Sequence, residues 1–187
     1  RETSFPSRIV MVAWLPYGKC VRGPPLEPAF CTIFPRGEAA AAHALFLSVK
    51  RHRPHARFYA CATDMNDRDV DPSPWKTVPA TALASRRLPV LRRKCSESEL
   101  SQVLLPMLLS HVLEHERAVV YFEPTTMVFD AMRDLDAQLE EAPILMVPYA
   151  QRPRVAREAV DEIGLIAEGA YNDGFLGLRR SPAASAF

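Results

Sequence analysis

The sequence predicts an α/β domain built on a mostly parallel sheet with helices on both faces. Three observations predict it. Short apolar, β-leaning runs recur at 29–34, 56–63, 118–122 and 143–147. Segments with apolar residues at helical spacing lie between them. Pro, Gly and charged residues mark the junctions, so the order reads as strand, helix, strand, the unit of a parallel sheet. The 187 residues fit one domain, and 48% hydrophobic content is enough for a sizeable core.

Taken in order, 9–15 is an apolar run and a candidate strand. Residues 16–28 are too rich in Pro and Gly for regular structure. They set apart an N-terminal portion, 1–28, from the domain proper, 29–187. The strand at 29–34 breaks at Pro35-Arg36-Gly37. A helix over 38–53 follows, with Ala42, Leu45, Phe46 and Val49 on one stripe, and Pro54 ends it. The strand at 56–63 puts Phe58, Ala60 and Ala62 on one side and gives way to a polar loop, 64–74. Residues 75–93 look irregular, with a short strand at 88–91.

Ser96 followed by Glu99 has capping-box spacing, and Leu100, Val103, Leu104, Met107, Leu108 and Val112 hold helical phase. Pro106 either kinks one helix or starts a second. Ala118 to Phe122 is the clearest strand. Val128, Met132, Leu135 and Leu139 mark a helix, 143–147 a buried strand, 157–167 a helix and 174–178 a last strand. Ser181-Pro182 reads as a cap and first turn of a helix that Phe187 leaves unfinished. A domain cut short at its C-terminus is therefore expected.

Charge and composition narrow the function classes. The formal net charge of +1 gives no field for nucleic acid or an anionic membrane. The local basic run Arg86-Arg87 and Arg92-Arg93-Lys94 reads as a solvated loop or, alternatively, as a contact for phosphate or an acidic partner. No apolar stretch is long enough to span a membrane, and no signal peptide is evident. Cys20, Cys31, Cys61 and Cys95 match no zinc spacing, and Cys31 and Cys61 sit in apolar runs. A reducing, cytoplasmic setting is expected, with a Cys20–Cys31 bridge left open. His43, His52 and His55 read as a basic helix terminus. Nucleophile-elbow, P-loop, dinucleotide and HExxH motifs do not occur.

In open α/β sheets ligands collect at the carboxyl ends of strands. Three segments fall there: Thr32 to Arg36, Glu123-Pro124-Thr125, and Gly169 to Gly174. Four stretches, in this order, carry a family resemblance. They are Cys31-Thr32-Ile33 with the helix ending His52-Arg53-Pro54, and Ser98-Glu99-Leu100 through Leu105-Pro106. Val119 to Thr125 with Val128-Phe129 follows, then Gly169-Ala170-Tyr171-Asn172-Asp173-Gly174-Phe175. Together they resemble the bacterial glycosyltransferases of the A-type fold, a single Rossmann-like nucleotide-diphospho-sugar transferase domain. The third stretch is similar to a strand ending in Asp-X-Asp.

The resemblance implies a nucleotide sugar as donor, an acceptor not identified by sequence, and Mn²⁺ or Mg²⁺ on the diphosphate. A departing diphosphate needs its charge neutralised. On this reading Thr32 and Ile33 border the nucleotide through backbone groups. Arg36 either contacts the diphosphate or sits in a loop. Asn172 and Asp173 face the sugar, or Asn172 makes a turn. Glu123 and Thr125 stand where the aspartates would, and Leu105 stands where a Lys often precedes the Pro. One carboxylate replacing two implies weak cation binding. The alternative is a module that keeps the fold without the chemistry, serving as a binding or scaffold domain for a protein partner or a further C-terminal segment.

Overall fold

The computed structural model describes residues 26–64, 74–148, 169 and 171–187. The expected strand at 9–15, the helix at 157–167 and most of the 16–28 and 64–74 segments lie outside the described residues. Six strands form one sheet: β1 (Ala29–Phe34), β2 (Phe58–Ala62), β3 (Lys76–Thr77), β4 (Ala118–Phe122), β5 (Ile144–Pro148) and β6 (Tyr171–Arg179). Their spatial order is β3-β2-β1-β4-β6-β5. β1 pairs in parallel with β2 and with β4, and β2 with β3.

The three strands expected to lie parallel in one sheet do so. The far edge differs. β6 is antiparallel to both β4 and β5, so the sheet is mixed. Pro148 lies opposite Tyr171, so the chain re-enters the sheet at the end where β5 leaves it, and β6 runs back between its neighbours.

Alternation along the strands feeds two cores. Phe30, Phe34, Ala60, Val120 and Phe122 pack under α1 (Ala39–His52) and α5 (Arg133–Glu141). Cys31, Ile33, Tyr59, Cys61, Val119 and Tyr121 pack under α2 (Ala80–Ala84), α3 (Leu88–Lys94) and α4 (Glu97–His115). Helices thus cover both faces, as period-2 burial in buried strands requires. Trp75 fills one end of the first core, against the rings of Phe34, His43 and Phe46. No helix among the described residues is long and apolar enough to cross a membrane. Cys31, Cys61 and Cys95 are free thiols, the first two buried.

Local corrections have local causes. Residues 88–91 belong to helix α3, not a strand: Pro89 suits a first helical turn, and Arg92, Arg93 and Lys94 complete the last turn rather than a loop. Pro106 lies within one continuous helix, α4, whose capping box is intact. Ser96 Oγ accepts from the Glu99 N–H at 3.3 Å, and Glu99 Oε2 accepts from the Ser96 N–H at 2.7 Å. The Ser96 N–H, and then the Ser96 hydroxyl donating to Oε2 at 2.8 Å, hold the Glu99 carboxyl below its ordinary range.

The helix expected from Val128 begins only at Arg133. Met132 sits in the left-handed region at φ 46° and bars an earlier start. Arg53 fastens that bend, donating to the carbonyls of Ala131 and Met132 and to Asp136 Oδ1 at 2.6, 2.8 and 2.9 Å. A short helix, α6 (Pro182–Ala186), is capped by Ser181, whose Oγ accepts from the Ala184 N–H.

Candidate functional site

The chain runs from β1 outward to β2 and β3, then returns to place β4 on the other side of β1. The reversal point lies between β1 and β4, where doubly wound sheets bind ligands. The strands also part there. Pairing of β1 with β4 stops at Cys31–Tyr121, while β1 stays paired with β2 as far as Phe34. A cleft of about 980 Å³ opens above these carboxyl ends. Its floor holds Ile33, Tyr121, Glu123 and Thr125. Asp173 of β6 contributes from the side, and α4 forms a wall running from Ser96 to Leu113. Pro106 offers no N–H to the Gln102 carbonyl, and both residues line this wall.

The cleft is acidic. Glu38, Glu97, Glu123 and Asp173 line it, and no Lys, Arg or His does so among the described residues. Tyr121 reports the field. Its phenol is pushed well above the ordinary range, by burial first, then by Cys31 and the Glu123, Asp173 and Glu38 carboxylates. It is 7% exposed.

Of the residues singled out in the sequence, the structure brings Ile33, Glu123, Thr125 and Asp173 together. Thr125 Oγ1 donates to Glu123 Oε1 at 2.9 Å, and the Glu123 N–H donates to the Gly174 carbonyl at 2.9 Å. Gly174 is what lets the carboxylate lie against β6: a Cβ there would sit 2.9 Å from Glu123 Cδ. Asn172 lies within β6, opposite Val147, and does not line the cleft; its Oδ1 accepts from the Gly174 N–H at 2.8 Å. Arg36 does not line the cleft; it is exposed, and its N–H donates to Asp64 Oδ1. Thr32 does not line it either. Its side chain alternates with Ile33, is fully buried, and its hydroxyl has no partner among the described residues.

Sequence reasoning missed Glu38, which follows the Pro35-Arg36-Gly37 break at the mouth of the cleft, and Tyr121, hidden in an apolar strand. It also passed over His111, Glu114 and His115. Their spacing alone puts all three on one helical face. They form the only group among the described residues whose three ligand atoms lie within 4.8 Å of one another. The cleft carboxylates are therefore not a preassembled cation cage. The chain matches no protein family and no curated protein.

Proposed function

We propose that this domain binds a nucleotide sugar in the β1–β4 cleft and transfers the sugar to an acceptor, in the manner of an A-type glycosyltransferase. The observation that carries the reading is the cleft's place at the sheet's reversal point, with Glu123 and Asp173 on its lining. Among the described residues the lining's only charges are carboxylates, which repel a bare diphosphate, so the ligand's charge would arrive neutralised. Mn²⁺ or Mg²⁺ serves this role. Such ions are commonly held by one or two carboxylates together with substrate phosphates, without a full protein cage. Glu123, oriented by Thr125, and Asp173 would supply the protein oxygens, and the cation would stabilise the departing diphosphate. Ile33 would border the nucleotide. The apolar stretch of α4 at Leu105, Leu109 and Leu113 would face the rest of the ligand.

Calorimetric titration with uridine, guanosine and adenosine diphosphates, with Mn²⁺ and then with chelator, tests this. The expected result is binding of at least one nucleotide with Mn²⁺ only, weakened in Glu123→Gln and in Asp173→Asn. Binding that ignores the metal refutes the charge argument. No binding in either condition, with the fold intact, favours the second reading, a scaffold module on the same fold. That reading draws on Met127 and Phe129, which are 52% and 79% exposed in the loop after β4.

A further inference from the structure

The last turn of α4 stands apart from the cleft: none of His111, Glu114 and His115 lines it. His111 and His115 are four residues apart and Glu114 three from His111, so all three side chains share one face. One ligand atom from each lies within 4.8 Å of the others, and the two imidazoles meet edge to face with centroids 5.4 Å apart. Glu114 and His115 are exposed and His111 half-buried, so the rings can turn without disturbing the core. The backbone beneath them is fixed, because Leu104, Leu108, Leu109 and Val112 anchor the helix in the second core.

We infer that this turn is a binding site for a borderline transition-metal dication of the Zn²⁺ type. Two imidazole nitrogens and one carboxylate oxygen are a donor set that suits Zn²⁺ and disfavours Mg²⁺ and Ca²⁺, which take oxygen. Tetrahedral metal–ligand bonds of about 2.0–2.2 Å bring the three donor atoms closer by up to about 1.5 Å, a rotamer adjustment open to side chains at the surface. The place on the helix adds to the attraction. His115 is the last residue of α4, where the unsatisfied carbonyls carry partial negative charge and favour a cation. Three protein ligands leave at least one coordination position for water or an outside ligand. His115 also lines a second, smaller cavity with Arg57, Lys76 and Glu116, so an ion here would sit at that rim.

The test is titration of the whole chain with ZnCl₂ near neutral pH. One saturable equivalent is expected, with Co²⁺ taking the same place and showing visible absorption bands. The His111 and His115 ring protons should respond together by NMR, and those of His43, His52 and His55 should not. The double variant His111→Ala, His115→Ala should lose at least about tenfold in affinity, the scale on which losing even an outer-shell partner lowers metal binding. Its fold is checked by circular dichroism and a urea midpoint. Unchanged Zn²⁺ affinity in a folded double variant overturns the inference, as does Mg²⁺ competing on equal terms.

Discussion

Gly174→Ala separates the position of the Glu123 carboxylate from its presence. A Cβ on residue 174 would lie 2.9 Å from Glu123 Cδ, 3.0 Å from Glu123 Oε2 and 3.0 Å from Asn172 Oδ1. Carbon contacts settle near 3.5–4.0 Å, so the carboxylate must retreat by about 0.5 Å or more. Glu123 is exposed, and its far end can rotate. Leaving its rotamer costs about 0.5–1.5 kcal/mol. Replacing a glycine that is not in the left-handed region returns about 0.4–1 kcal/mol through the unfolded chain. Stability should therefore move by less than about 1 kcal/mol.

Binding should move more. The Thr125–Glu123 hydrogen bond is disrupted and the carboxylate leaves its seat on β6. A loss of roughly tenfold in Mn²⁺-dependent nucleotide affinity, about 1.4 kcal/mol, is expected.

The control lies three residues on. At Gly177 a Cβ would meet Leu145 Cβ at 3.2 Å and Leu139 Cδ2 at 3.4 Å, inside the core. Leu145 Cβ is fixed to its backbone and cannot turn away. Gly177→Ala should cost about 1–3 kcal/mol as overpacking and leave ligand affinity unchanged. Urea unfolding reads the first quantity and calorimetry the second. If Gly174→Ala unfolds the protein while Gly177→Ala does not, the packing argument fails. If both leave nucleotide affinity intact, Glu123 does not touch the ligand.

Three further outcomes follow from the same structure. Arg53→Ala removes three hydrogen bonds and the stack on Phe30 at 5.6 Å, and leaves Asp136 unpaired. A loss of about 2–4 kcal/mol by urea unfolding is expected, and a loss under 1 kcal/mol would show that the 131–136 bend does not depend on this clamp. The Tyr59 phenol is pushed up to about 12, by burial first and then by its 2.6 Å hydrogen bond to Glu116. A folded-state value raised above 10.0 means stability present below about pH 10 and lost as pH climbs toward 12, and absorbance at alkaline pH should show Glu116→Gln ionising Tyr59 earlier. Thr32→Val deletes a buried hydroxyl without a partner among the described residues, so stability should rise by about 1 kcal/mol with nucleotide affinity unchanged; a weaker affinity would return Thr32 to the ligand.

What the sequence made legible were the features set by period and punctuation. Apolar runs bounded by Pro and charge became β1, β2 and β4, and the Ser96–Glu99 spacing became a working cap. Features set by pairing across the chain were not legible. Nothing in the residues 171–179 says that they run antiparallel, because strand direction depends on where the preceding connection brings the chain back. The left-handed Met132 was equally hidden, since three hydrogen bonds from a residue far away in sequence hold the bend around it. In the cleft, position along a strand found Ile33 and Glu123. Alternation turns the Thr32 side chain away from the cleft, because neighbours on a strand face opposite ways and Ile33 takes the cleft side.

The charge of the cleft narrows which carboxylates need a ligand. Glu38 is the N-cap residue of α1, and Glu97 lies in the first turn of α4. Carboxylates at helix N-termini are stabilised by the helix dipole and the free N–H groups, so these two are at home without a cation. Glu123 and Asp173 are different. One follows β4 and the other lies within β6, where no helix begins, and a sheet offers little compensating dipole. The Glu123 carboxylate accepts a side-chain hydrogen bond only from the neutral Thr125 hydroxyl, and Asp173 makes no ion pair, both among the described residues. Of the four acids, these two have neither a helix N-terminus nor an ion pair among the described residues, and both act on the buried Tyr121 phenol. On the proposed function, Asp173, on the adjacent strand β6, would supply the second carboxylate that Thr125 does not. Two carboxylates and a diphosphate are enough to hold one hard divalent ion.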